Sequence, residues 1–98
     1  MEEFLNAIFL NERNALAKVK IAKIIIKALQ KNMLTKTELI NILKENGFYK
    51  RKTFLKTLKK LKAFGIIRIA KIENKKYYVL SPDGFYFFFK SFYNTLKL

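Results

Sequence analysis

Four residues, Gly47 to Lys50, are all that separate two stretches of helical periodicity, and so short a connection makes the pair a helix-turn-helix candidate. The first stretch opens at Thr35-Lys36-Thr37-Glu38, which has capping-box spacing: the Thr35 hydroxyl accepts from a backbone N–H while Glu38 reaches back to the cap. A helix is therefore expected from Lys36, with Leu39, Ile42 and Leu43 as its buried face. Asn46-Gly47 should end it, because Gly readily takes the left-handed conformation found at helix C-termini. The second stretch runs from Arg51 to Phe64, where Phe54, Leu58 and Leu61 share one face. At about 100° per residue, Lys52, Lys56, Lys59 and Lys60 fall on the opposite face, with Thr53 and Thr57 on one flank.

The flanks add a long helical segment before this pair and a hairpin after it. From about Glu3 to Lys31 there is no Gly or Pro, and Phe4, Ile8, Ala15, Val19, Ala22, Ile26 and Leu29 recur at intervals of three, four or seven. A long N-terminal helix over residues 1–32 is expected, with Asn11 to Asn14 as the point where it divides into two segments. A second apolar set, Leu5, Phe9, Leu16, Ile21, Ile24 and Ile25, lies off the first stripe and exceeds what one core contact needs. Gly65 closes the later helix. Ile66 to Ile72 then reads as a strand, Glu73 to Lys75 as a polar turn and Lys76 to Leu80 as a returning strand, a basic hairpin over 66–80. Ser81-Pro82 supplies an N-cap and a Pro at the first helical position for a last helix over 82–97, striped by Phe85, Phe88, Phe89, Phe92 and Leu96.

At 98 residues the chain fits a single domain, 1–98. Its 21 Lys and Arg against 7 Asp and Glu give a net charge of +14, so an acidic partner is expected, nucleic acid before anionic lipid or acidic protein. The charge is concentrated: Lys50 to Lys76 holds eleven basic residues and one acid, Glu73. Without Cys or His, thiolate or imidazole chemistry and the usual zinc sites are absent, and no base, nucleophile and orienting group assemble; the chain is expected not to be an enzyme. No cofactor or small-molecule ligand is evident. The N-terminus lacks a signal-peptide pattern and no apolar run reaches membrane-span length, so an intracellular protein of the cytoplasm or nucleoid is expected, with no membrane partner. The Lys- and Ile-rich style is compatible with A+T-rich coding in an archaeon or its virus.

Thr53 to Arg68 resembles the recognition helix and first wing strand of winged-helix regulators. Tyr77-Tyr-Val-Leu-Ser-Pro-Asp-Gly84 is similar to their second wing strand and to the Leu-Thr-x-x-Gly corner of the MarR and PadR groups, and Leu34 to Leu39 to the start of their second helix. The resemblance covers roughly Leu34 to Gly84. It implies an α+β, mostly α fold: a winged helix-turn-helix (36–64) with a two-stranded hairpin wing and long N- and C-terminal helices. It also implies a double-stranded DNA-binding transcription regulator, with the third helix in the major groove and the wing on the flanking backbone. Lys52, Thr53, Lys56, Thr57 and Lys60 would then face the groove, Lys50 and Arg51 the phosphates at the start of the helix, and Arg68, Lys71, Lys75 and Lys76 the wing contacts. Leu55 departs from the pattern, standing where these families often place Ser; it touches a thymine methyl, packs, or marks a rotated helix.

With Lys dominant, phosphate contacts should outweigh base readout. An architectural or replication-associated binder of low sequence specificity is therefore an alternative, and a winged-helix protein-interaction module is another. The surplus apolar residues of the first segment and the aromatic last helix point to a homodimer through the N- and C-terminal helices. Such a two-fold would set two recognition helices about 34 Å apart.

Overall fold

The structure is a computed structural model and describes residues 2–81. In chain order these form α1 (Glu2–Ile8), α2 (Ala15–Leu29), α3 (Lys36–Glu45), α4 (Arg51–Ala63), β1 (Ile67–Ile72) and β2 (Lys75–Leu80). They are mostly helical with one two-stranded antiparallel sheet, an arrangement compatible with a winged helix. The helix expected over 82–97 lies outside the described residues.

The long helix expected over 1–32 is instead two helices, of 7 and 15 residues. Asn11 and Asn14 both have positive φ, 66° and 59°, a conformation that Asn tolerates better than most residues. Asn14 stands at the N-cap of α2 without a side-chain cap hydrogen bond, so its role there is to turn the chain. The reversal lays α1 against α2 and closes Leu5, Ile8 and Phe9 over the core. This accounts for most of the apolar set assigned above to a second chain. Leu5, Phe9, Ile21 and Ile25 are fully buried within this one, Ile24 is half-buried, and Leu16 alone stays outside at 70% exposure.

Helix α3 begins with the expected capping box: the Thr35 hydroxyl accepts from the Glu38 N–H at 3.2 Å, and the Thr35 N–H donates to Glu38 Oε1 at 3.0 Å. It ends in a Schellman motif. Gly47, at φ 74°, donates to the Lys44 carbonyl at 3.1 Å, and the Phe48 N–H reaches the Leu43 carbonyl at 2.9 Å. Helix α4 closes in the same way on Gly65, at φ 70°, with Ile66 N–H bound to the Leu61 carbonyl at 3.0 Å. Both glycines satisfy helix carbonyls where the chain must turn sharply.

The core gathers Val19, Ala22, Ile26 and Leu29 of α2, Leu39 and Leu43 of α3, Phe54, Leu58 and Leu61 of α4, and Ile66 and Ile67 at the start of the hairpin. Of the helix pairs, α2 and α4 pack most extensively. The hairpin is fixed at its base, where Leu34 and Tyr78 exchange backbone hydrogen bonds of 2.7 and 3.1 Å and the Ser81 N–H donates to the Ile66 carbonyl at 2.9 Å. Its tip is a two-residue turn, Glu73-Asn74, with φ of 48° and 67°. Positive φ at both positions is what a type I′ hairpin turn requires.

Candidate nucleic-acid interface

Burying Phe54, Leu58 and Leu61 turns the other side of α4 outward. Arg51, Lys52, Lys56, Lys59 and Lys62 are exposed there, Lys50 is exposed immediately before them, and α4 contains no acid. Leu55 is exposed within this basic face. Lys62 was not among the expected contacts, although its spacing, three after Lys59 and seven after Leu55, marks the same face. The N-terminus of α4 has no acid in its first turn and no side-chain cap, so its positive dipole end faces solvent beside Lys50, Arg51 and Lys52. Phosphate is the natural complement of that end.

Two of the expected groove residues face the other way. Thr57 is completely buried and Thr53 is 8% exposed, and the Thr57 hydroxyl donates to the Thr53 carbonyl at 2.7 Å. At about 100° per residue Thr57 lies only about 60° from Phe54, and Thr53 about 100°, so packing against α2 takes both into the core. Their hydroxyls are not available to bases.

Lys60 sits on the same flank as Thr53 and is engaged inside the molecule. Its ammonium lies 2.8 Å from Glu12 Oε2, a charge contact outside hydrogen-bond geometry, and 5.7 Å over the Phe64 ring. The other carboxylate oxygen of Glu12 accepts a 2.9 Å hydrogen bond from Lys18, whose side chain is only 5% exposed. Glu12 thereby bridges α2 and α4, and the ammonium groups of Lys60 and Lys18 hold its carboxyl below the usual glutamate range.

On the hairpin, Arg68, Lys71, Lys75 and Lys76 are all exposed. The register divides them. Lys71 and Lys76 are direct cross-strand partners on the face that carries Tyr78, whereas Arg68 and Lys75 lie on the face of Tyr77. Like charges directly opposite each other destabilise a strand pair, and a neighbouring anion relieves that cost. Around the α3–α4 connection, Lys44 lies 5.4 Å over the Tyr49 ring, and Tyr49 packs on Phe54 with ring centroids 5.9 Å apart. These contacts hold the connection that sets the start of α4.

Nothing among the described residues assembles three or more carboxylates as a metal site, and no helix there is long and apolar enough to cross a membrane. Three open surface grooves among the described residues are lined mainly by residues of α2 and the segment after it.

No protein-family model matches the chain, and no curated protein matches it. Among solved structures, a transcriptional regulator from Clostridium thermocellum is similar, with a TM-score of 0.63 over 84% of this chain and 85% of that one at 18% identity. The likeness is one of fold. It does not single out the MarR or PadR groups.

Proposed function

We propose that this chain is a non-enzymatic, winged-helix protein that binds double-stranded DNA and regulates transcription, with α4 in the major groove and the hairpin on the flanking backbone. The observation that carries the reading is the outward face of α4, where Arg51, Lys52, Lys56, Lys59 and Lys62 stand exposed with no acid among them, followed directly by a basic hairpin. A helix fits a major groove about 12 Å wide, and a hairpin after it reaches the next phosphates. The fold it shares with a transcriptional regulator supports the same reading.

The proposed active form is a homodimer. Leu10 and Leu16, each 70% exposed beside the α1–α2 turn, are the apolar surface left for a second copy on the N-terminal side, together with the aromatic residues of the C-terminal sequence. Mass measurement in solution tests this, and a monomer at micromolar concentration with and without DNA speaks against it.

A second reading, an architectural binder of low sequence specificity, gains from the burial of Thr53 and Thr57. With both removed from the surface, the outward face of α4 offers lysines, one arginine and Leu55, and lacks the Asn or Gln that reads adenine. Competition against random duplex separates the two: a specific regulator keeps a preferred site at about a thousandfold or more over random DNA, an architectural binder does not.

A further inference from the structure

Helix α4 carries four large apolar side chains, and three of them, Phe54, Leu58 and Leu61, are buried in the core. The fourth, Leu55, is 36% exposed. At about 100° per residue it lies about 100° from Phe54 but only about 60° from Lys52 and about 40° from Lys59, on the outward face. Single exposed leucines are ordinary on protein surfaces, so exposure alone carries nothing. The setting of this one is different. Its exposed neighbours three and four residues away are Arg51, Lys52 and Lys59, and it falls in the second turn of a helix that contains no acid.

An apolar side chain ringed by cations has few fitting partners. A second copy of this chain meeting it through its own α4 would set cation against cation, and a flat apolar partner would strand the charges around the leucine. A duplex satisfies both parts. The long lysine and arginine side chains reach the phosphates that border the major groove, while the shorter Leu55 is carried toward the base edges, where the N-terminal half of a groove-bound helix makes its contacts. The apolar group displayed there is the C5 methyl of thymine; the other three bases lack it, and their hydrogen-bonding groups would be covered by a leucine without being paired. With Thr53 and Thr57 turned into the core, Leu55 is the largest uncharged side chain left on that face.

We propose that Leu55 is a specificity-determining residue that reads a thymine methyl in the major groove, so that base preference comes from one apolar contact set among phosphate-binding cations. The proposal rests on the reading that α4 lies in the groove. Burying one methyl group against the leucine corresponds to about fourfold in affinity. The preference is therefore for thymine over uracil as well as over cytosine, and it leaves the salt dependence of binding untouched, because no phosphate contact is involved.

The test uses the full chain and two duplexes of mixed A·T sequence, about two helical turns or roughly 20 base pairs long, identical except that one carries deoxyuridine at every thymidine position. The two differ in the C5 methyl alone, with phosphates and Watson–Crick pairing unchanged. Anisotropy titrations are expected to give the wild type a preference of about fourfold or more for the thymine duplex. Leu55→Ala, at an exposed position where Ala favours helix, is expected to bind both duplexes alike, with the wild-type salt slope. Leu55→Met, which restores the apolar length, is expected to regain the preference. Equal affinity of the wild type for the two duplexes overturns the proposal while leaving α4 on DNA. So does an undiminished preference in Leu55→Ala, which assigns the methyl effect to DNA shape or to another side chain. A loss in Leu55→Ala that Leu55→Met does not restore also overturns it, since an apolar contact is then not what was lost. Absence of wild-type binding to either duplex at low salt removes the DNA-binding reading itself.

Discussion

Lys60 of α4 and Glu12 of the turn between α1 and α2 lie 2.8 Å apart, and Glu12 also binds Lys18 at 2.9 Å. Helix α4 is thereby tied to the turn between α1 and α2. Lys18 is nearly buried, and this carboxylate is its ion-pair partner.

Glu12→Gln leaves Lys18 with a neutral partner in a site that water barely reaches. Breaking a fully buried pair costs about 3–5 kcal/mol, and because Glu12 and Lys60 are partly exposed the expected loss is nearer 1–2 kcal/mol. Urea unfolding measures it. Replacing Lys18 by Met in the same chain should recover most of the loss, since the stranded charge is then gone. No recovery would mean that Glu12 acts through something other than these ammonium groups.

The same residue sets an acid limb. The Glu12 carboxyl is held below its ordinary value of 4.5 by Lys60 and Lys18, so the folded state binds its proton more weakly than the unfolded state does. Its stabilising contribution is therefore complete above about pH 4.5 and lost as pH falls through the depressed folded value. Thermal unfolding followed from pH 6 to pH 3 should show a shallower decline for Glu12→Gln than for the wild type. Some decline remains, because Glu38, held low by the Thr35 N–H, follows the same sign.

Thr57→Val tests the inward turn of the threonine pair. The lost hydroxyl only shares the Thr53 carbonyl with the helix ladder, so the expected cost is about 1 kcal/mol or less. DNA affinity should stay within about twofold, since no base contact is removed. A large loss of affinity with stability intact would return Thr57 to the groove.

In the hairpin turn, Glu73 holds a positive φ that a long side chain adopts at a cost, and Asn74 follows it in the same region. Glu73→Asn with Asn74→Gly gives the sequence that type I′ turns prefer. Stability should rise by about 0.5–1 kcal/mol, read as a higher melting temperature. Duplex affinity should also rise, because the single acid between Lys50 and Lys76 is removed. A fall in melting temperature would show that the turn is held by more than its dihedral preference.

Where the signal was local, the sequence was readable. The capping box at Thr35 and Glu38, the closing glycines 47 and 65 and the basic hairpin each follow from neighbours within a few residues, and each is present. The chain reversal between Asn11 and Asn14 has only a weak local signature, since two positive φ values depend on α1 finding its place on α2. The direction of Thr53 and Thr57 was set by where α2 packs, which helical periodicity alone does not contain. Lys18 reads as surface in any composition count, and it is buried because a carboxylate six residues earlier meets it. Lys62 was legible from its spacing, and lay one turn beyond the set considered.

The central claim is that the outward face of α4 meets duplex phosphates. Its most direct test is a salt titration of duplex binding with Lys56→Ala/Lys59→Ala, two exposed residues that make no internal ion pair among the described contacts. The expected result is weaker binding with unfolding unchanged, and a slope of log affinity against log salt that is shallower by about 1.8, or about 0.9 for each phosphate contact removed. Identical affinity and slope in the variant and the wild type would contradict the account.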